Sequence, residues 1–175
     1  MPHFRSRARP GAPAIWRTQL CGVPERGCTT VESLSDHVPD HVSDHVADIG
    51  NRPIHLGLGA TAEVEPEFTG AMSWYAGYVD RHAADGAEGR LVTMHVFTES
   101  WDVWEMHPMG SEVVLCVDGR LTVHQENVDG TTAVATLEAG QYVINEPGTW
   151  HTADVEITAT ALFITAGVGT EHRPR

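Results

Sequence analysis

Short runs in which apolar and polar residues alternate fill the chain from about residue 62 onwards. Runs of this kind, rich in Val, Thr, Trp, Tyr and Ile and bounded by turn residues, predict short β-strands. Since no convincing helical segment separates them, the pattern predicts an all-β sandwich or closed barrel. The predicted strands cover residues 71–79, 90–98, 101–107, 112–117, 120–126, 131–137, 141–145, 149–155 and 157–165.

Glycine dipeptides mark the predicted reversals between these strands. Asp118-Gly119 fits a two-residue hairpin turn between the runs VVLCV and RLTVH. Asp129-Gly130, Ala139-Gly140 and Pro147-Gly148 fit the next three reversals. Residues 82–89 are polar and predict a loop, a candidate flap over one mouth of the barrel.

The first third of the chain differs from the rest in amino-acid composition. Residues 1–35 are rich in Pro, Gly, Arg and Thr without a sustained period, and a DHVP-DHVS-DHVA repeat covers residues 36–47. On a helix the repeat would align His37, His41 and His45, which could hold a metal; the alternative is a low-complexity segment without fixed structure. We predict a disordered leader over residues 1–58 and a single domain over residues 59–175.

Charge is distributed unevenly between these two parts. The formal net charge is −13, yet residues 1–30 carry five arginines and one acid, whereas the remainder carries six arginines and 23 acids. An acidic body of this size argues against a general nucleic-acid surface. The basic leader lacks a helix-turn-helix pattern, so a complete transcription factor is not indicated.

The cysteine count and hydropathy bear on location. Three cysteines without a C-x2-C pair do not form a disulfide scaffold, which favours a reducing cytoplasm. No run of 18 apolar residues occurs, so no membrane-spanning segment is predicted. The leader also lacks the apolar stretch of a secretory signal. These features predict a cytoplasmic protein.

Candidate chemistry concentrates between Trp101 and Gly119, which reads WDVWEMHPMGSEVVLCVDG. Glu105 and His107 are two apart on a predicted strand, so they point to the same face. A break follows, and the chain returns with Glu112 at the start of the next apolar run. One imidazole and two carboxylates converging from adjacent strands suit a divalent cation, with a fourth ligand to come from elsewhere.

Two segments resemble the motifs of the cupin family, G-x5-H-x-H-x(3,4)-E-x6-G and G-x5-P-x-G-x2-H-x3-N. Here the first reads Glu105-x-His107-x4-Glu112-x6-Gly119. The second keeps Gly140 and the sequence Pro147-Gly148-Thr149-Trp150-His151. The resemblance implies a double-stranded β-helix, the jelly-roll barrel of cupins. It covers roughly residues 68–170.

Departures from the motifs affect the expected site more than the expected fold. Glu105 stands where the first histidine belongs, Glu99 replaces the leading glycine, Pro147 lies directly against Gly148, and Val155 replaces the final asparagine. The resemblance implies a divalent metal ion, with the ligands Glu105, His107, Glu112 and His151. The extra oxygen donor favours Mn(II) or Fe(II), with Zn(II), Ni(II) and Co(II) also in range.

Two functions follow from the resemblance. The first is a metal-dependent enzyme acting on a small organic molecule, of dioxygenase (oxidoreductase), decarboxylase or isomerase type, in which Glu105 ligates the ion or acts as a base. The second is a non-catalytic barrel that binds a small ligand without metal. In that case Glu105 and Glu112 would share a proton. The partner expected in both is a small molecule, without nucleic acid or membrane, and pairing through strand edges would give a homodimer.

Overall fold

Antiparallel β-strands are the main regular secondary structure of the computed structural model, which describes residues 46–175. The predictions for the leader up to residue 45, including the three histidines of the repeat, lie outside the described residues. One helix, α1 (Met72–Arg81), and two 3₁₀ turns (Leu58–Ala60 and Ala83–Asp85) accompany the strands in this part of the chain. The strands are β1 (Ile54–Gly57), β2 (Thr61–Val64), β3 (Arg90–Phe97), β4 (Val103–Met106), β5 (Glu112–Glu126), β6 (Thr132–Glu138), β7 (Tyr142–Asn145), β8 (Trp150–Asp154), β9 (Ala159–Thr165) and β10 (Glu171–Pro174).

Two antiparallel sheets share the long strand β5. The first has the order β2-β1-β3-β9-β5-β7, and the second has the order β10-β4-β8-β5-β6. The inward-facing residues of both sheets form one core, which includes Val114, Leu121, Ala153 and Phe163. This arrangement confirms the predicted all-β jelly-roll fold.

Strand β5 passes from one sheet to the other through a bulge, so the hairpin predicted at Asp118-Gly119 is wrong. The register with β9 shifts between Cys116 and Asp118, and Gly119 adopts a φ of +75°. The bulge changes which alternate residues face inward: Cys116 is buried before it and Leu121 after it. An Asp-Gly pair supplies the positive φ that a hairpin turn and a bulge both need, so its local sequence does not distinguish them. The other three predicted turns are present, with positive φ at Gly130, Gly140 and Gly148.

Residues 71–79, predicted as a strand, belong to helix α1 instead. Trp74 and Tyr78 are its buried residues, and they are four apart, which is the helical spacing. They pack on Leu91 of β3 to form a second apolar cluster beside the main core. Residues 71–79 are mostly apolar or aromatic, and in so short a run the sequence alone does not distinguish a helix from a strand.

The first sheet begins before the predicted domain start at residue 59. Strand β1 pairs with both β2 and β3, so residues 54–57 are part of the sheet rather than of the predicted leader. The predicted loop at 82–89 contains the short 3₁₀ turn Ala83–Asp85. Within residues 46–175, no helix is long and apolar enough to cross a membrane.

Candidate metal centre

Strand pairing brings the four predicted site residues together. Glu105 in β4 lies directly opposite His151 in β8. His107 follows β4 immediately, and Glu112 is the first residue of β5. Both sheets therefore contribute side chains to one point inside the fold.

The distances at this point are short, and three of the four side chains are buried. The Nε2 atoms of His107 and His151 lie 3.2 Å and 3.0 Å from the two carboxylate oxygens of Glu112. The ligand atoms of Glu105, His107 and His151 all lie within 4.8 Å of one another. His151 is 0% exposed, Glu112 2% and His107 3%. The structure thus places the four residues as a group, and their role as metal ligands stays a prediction.

Hydrogen bonds fix the tautomer of both imidazoles. The Thr170 hydroxyl donates to the carbonyl of Gly167, so at 2.8 Å its oxygen accepts from Nδ1–H of His107. The Nδ1–H of His151 donates to the carbonyl of Thr149 at 3.2 Å. In the neutral ring each Nε2 then carries a lone pair, and neither Nε2 makes a hydrogen bond although both are buried. Two lone pairs facing a carboxylate repel it unless a proton or a metal ion lies between them, so the donor set fits a cation.

Glu112 is held by two residues that the sequence analysis did not single out. Asn145 donates from Nδ2 to one carboxylate oxygen at 3.0 Å, and Thr165 donates from its hydroxyl to the other at 2.7 Å. Both residues are register partners of Glu112, in β7 and β9 respectively. Asn145 is the polar last residue of an otherwise apolar strand, and Thr165 directly follows the apolar run 161–164 at the end of β9. A polar residue that ends an apolar run is the signal that could have found them.

Glu112 and His151 shift each other's pKa in opposite directions. Burial alone would raise the pKa of Glu112, but the two facing imidazoles outweigh burial and hold the pKa well below its usual range. Burial alone would lower the pKa of His151, but the Glu112 carboxylate reverses this and raises it. In the absence of a metal ion the site therefore favours an ionised carboxylate with a protonated His151.

The metal affinity of this site is expected to rise with pH. Protonated His151 stabilises the metal-free fold below the imidazole's ordinary pKa of 6.5, and this contribution is lost as pH rises through the raised folded-state pKa. An incoming ion must displace that proton, so affinity should rise by about tenfold per pH unit until the folded-state pKa is passed. Calorimetric titration with Mn(II) from about pH 5.5 to pH 8 measures this slope. Affinity that is constant over that range would show that no proton is displaced.

Glu105 differs from the other three residues in being accessible. Its side chain is 28% exposed, and its carboxylate lies 4.0 Å from Nε2 of His107 and 3.3 Å from Nε2 of His172. Burial and the Glu105 charge raise the pKa of Tyr75, which lies on α1. Glu105 is thus placed between the buried group and open space.

That open space is a cavity of about 690 Å³ between the two sheets and α1. It receives Glu105, His107 and Glu112 on one side and aromatic side chains on the other. Its volume is in the range of pockets that take small organic molecules. The residues near its walls include Tyr75 and Val79 of α1, Phe97 of β3, Phe163 of β9, and Trp101 and Asp102 before β4.

A second polar cluster, not predicted from the sequence, joins β1, α1 and the 3₁₀ turn after it. Buried His55 contacts the Tyr78 hydroxyl through Nδ1 at 2.8 Å and Asp85 through Nε2 at 2.7 Å. His82 stacks on His55 with ring centroids 3.5 Å apart and contacts buried Glu65 at 2.5 Å. His55, His82 and Asp85 have the composition of a metal site. Since the ring nitrogens of His55 and the Nε2 of His82 already have protein partners, we interpret this cluster as the attachment of α1 to the sheet.

Known structures resemble this chain in fold. No protein-family model and no curated protein sequence matches it. A cupin-2 domain protein from Shewanella frigidimarina is 17% identical, with 49% of this chain and 71% of that chain covered and a TM-score of 0.37. Hydroquinone 1,2-dioxygenase from Sphingomonas, solved with 4-hydroxybenzoate, is 17% identical, with 43% and 59% covered and a TM-score of 0.38. An oxalate oxidase is 15% identical, with 53% and 50% covered and a TM-score of 0.44. The chain thus spans between half and 71% of these proteins, and cupin-domain proteins are among the solved structures that it resembles.

Proposed function

We propose that this protein binds one divalent metal ion through His107, His151 and Glu112 and uses it to act on a small organic molecule in the adjoining cavity. The observation that carries the proposal is the convergence of two buried Nε2 atoms on the Glu112 carboxylate, at 3.2 Å and 3.0 Å. Because each Nδ1 is committed to a hydrogen bond, each neutral imidazole offers the lone pair of its Nε2 at this point. Two imidazoles and one carboxylate are the donor set of many non-haem Fe(II) oxygenases. This favours Fe(II) or Mn(II) as the ion.

The bound ion would supply Lewis acidity, which polarises a substrate oxygen. The protein's own residues set the conditions for that chemistry. Thr170 and the Thr149 carbonyl orient the two imidazoles, while Asn145 and Thr165 hold the Glu112 carboxylate in place. Because it is partly exposed, Glu105 can accept a proton from a molecule in the cavity, or it can complete the ligand set. The proposal covers three reaction classes: dioxygenation, decarboxylation and isomerisation.

Metal analysis of protein purified without a histidine tag tests the proposal. We expect about one Mn(II) or Fe(II) per chain after reconstitution, as the single donor set predicts. The Glu105→Gln variant keeps the side-chain shape and removes the charge, so unchanged metal affinity in this variant would argue against Glu105 as a direct ligand. A wild-type protein that takes up no divalent ion would favour the metal-free ligand-binding alternative.

A second experiment tests the type of reaction. The protein is loaded with each ion in turn, and its oxygen uptake is measured in the presence of each member of a panel of small molecules. Uptake that depends on both the ion and a member of the panel would support an oxygenase. Stoichiometric metal without turnover of any panel member would leave a binding protein as the better description.

A further inference from the structure

Aromatic rings form a continuous wall in the cavity beside the candidate metal centre. The ring centroids of Phe97, Trp101 and Phe163 lie 5.6–6.0 Å from one another, and that of Trp101 lies 6.2 Å from that of His151. His95 extends the wall, with its centroid 6.0 Å from that of Phe163. A wall of this kind packs well against a planar ring, by offset or edge-to-face contact. It places such a ring next to the metal ligands.

Apart from three histidines, His95, His107 and His172, the residues along the same cavity that can carry a charge at neutral pH are all acidic. Its walls include Glu99, Asp102, Glu105 and Glu112, and none of its lining residues in the range 46–175 is an arginine. The chain contains no lysine. Burial lowers the pKa of His95, so this imidazole adds no positive charge at neutral pH.

Four arginines lie near cavity-lining residues in sequence, and all four have partners elsewhere; Arg81, for example, pairs with Glu65. Arg173 pairs with Glu126 and stacks on Trp104 and Trp150, while Arg175 pairs with Asp154 at 2.6 Å. Arg90 donates to the carbonyls of Ala87 and Gly89. An anion entering the cavity would therefore lose its hydration without gaining a guanidinium partner. An ion held by Glu112 also has the Glu105 carboxylate beside it, so the two carboxylates together offset its charge and reduce its attraction for an anion.

We propose that the cavity selects a ring compound of one or two rings that carries no negative charge, and that it discriminates against carboxylates and phosphates of the same shape. The inference rests on the proposed function in taking this cavity as the place where substrate meets the ion. Phe97, Trp101 and Phe163 provide the ring contact, and Glu99 and Asp102, both exposed near the cavity, provide the discrimination.

Three probes of matched shape test this proposal: 2-naphthylmethanol, 2-naphthylmethylamine and 2-naphthoate. Their affinities are measured by calorimetry for the metal-free protein and for protein with one equivalent of Mn(II). We expect the alcohol and the amine to bind at least tenfold more tightly than the carboxylate in the metal-free protein. Equal or tighter binding of naphthoate there would overturn the proposal.

Variants connect the preference to the named residues. The double variant Glu99→Gln/Asp102→Asn should raise naphthoate affinity at least threefold and leave that of the alcohol unchanged. Glu156→Gln, an exposed acid that does not line the cavity, is the matched control and should change neither. Phe97→Leu should weaken all three probes by a similar factor. A double variant that behaves like the control would contradict the assignment of Glu99 and Asp102.

The proposed metal-dependent function and the proposed substrate class can be disproved independently. If Mn(II) does not bind but the alcohol is still preferred over the carboxylate, the metal-dependent function is wrong and the substrate class stands. If Mn(II) binds at one per chain and naphthoate is preferred in the metal-free protein, the substrate class is wrong and the metal site stands.

Discussion

Replacing His151 by alanine is expected to lower the affinity for a divalent ion by more than about 100-fold. Loss of a residue that merely orients a ligand costs about 10-fold to 100-fold, and removing a ligand itself should cost more. His151 is fully buried and faces Glu112, so no neighbouring side chain or bulk water replaces its Nε2. Titration with Mn(II), followed by calorimetry, measures the change.

His124→Ala is the matched control for that experiment. His124 lies on β5 and pairs with Asp154 at 2.7 Å, with its side chain 29% exposed. Its loss should leave metal affinity unchanged. Because alanine also leaves Glu112 with fewer partners, His151→Gln, which keeps a polar group in the buried site, serves as a second variant. Wild-type affinity in either His151 variant, with the fold intact by circular dichroism, would show that the ion binds elsewhere.

Replacing Gly119 by alanine is expected to destabilise the protein by about 3 kcal/mol or more. A β-carbon here would lie 2.2 Å from the carbonyl oxygen of Thr158, which is backbone and cannot rotate away. The φ of +75° adds a penalty of about 1–2 kcal/mol for a non-glycine residue. Relieving the overlap requires a shift of the segment before β9, at a cost of about 1–3 kcal/mol. The midpoint of urea unfolding and the melting temperature measure the loss.

Gly140→Ala separates the two contributions to that loss. Gly140 has a φ of +84°, but nothing lies within 4 Å of a β-carbon built there. This variant should therefore lose only the backbone penalty of about 1–2 kcal/mol. Equal losses of stability at the two positions would show that the contact with Thr158 contributes nothing to the loss at Gly119.

The sequence predicts most strands because alternation and turn residues act locally. The pattern Val-Val-Leu-Cys-Val before Gly119, and the glycine turns at 130, 140 and 148, need no knowledge of distant partners. The prediction of a hairpin at Asp118-Gly119 is wrong because the choice between a hairpin and a bulge depends on the strands that flank β5. Helix α1 is missed because Trp74 and Tyr78 have the helical spacing within a run too short to reveal it.

The two motifs indicate which residues form the candidate group, but they do not indicate the residues that orient this group. His107 and His151 were placed by spacing, but their orienting partners come from distant segments that no motif covers. Thr170 lies 63 residues from His107, and Thr165 lies 53 residues from Glu112. Such partners follow from strand register, which depends on the whole fold.

The position of these partners near the end of the described chain affects when the centre can form. A ribosome releases the chain from its N-terminus, so both imidazole-bearing segments and Glu112 emerge before Thr165 and Thr170 do. Until β9 and the residues before β10 are added, the Glu112 carboxylate lacks its hydroxyl donor and His107 lacks the group that fixes its proton on Nδ1. The candidate ligands therefore reach their final orientation only after residue 170 has been added, and a shorter nascent fragment holds them at most loosely.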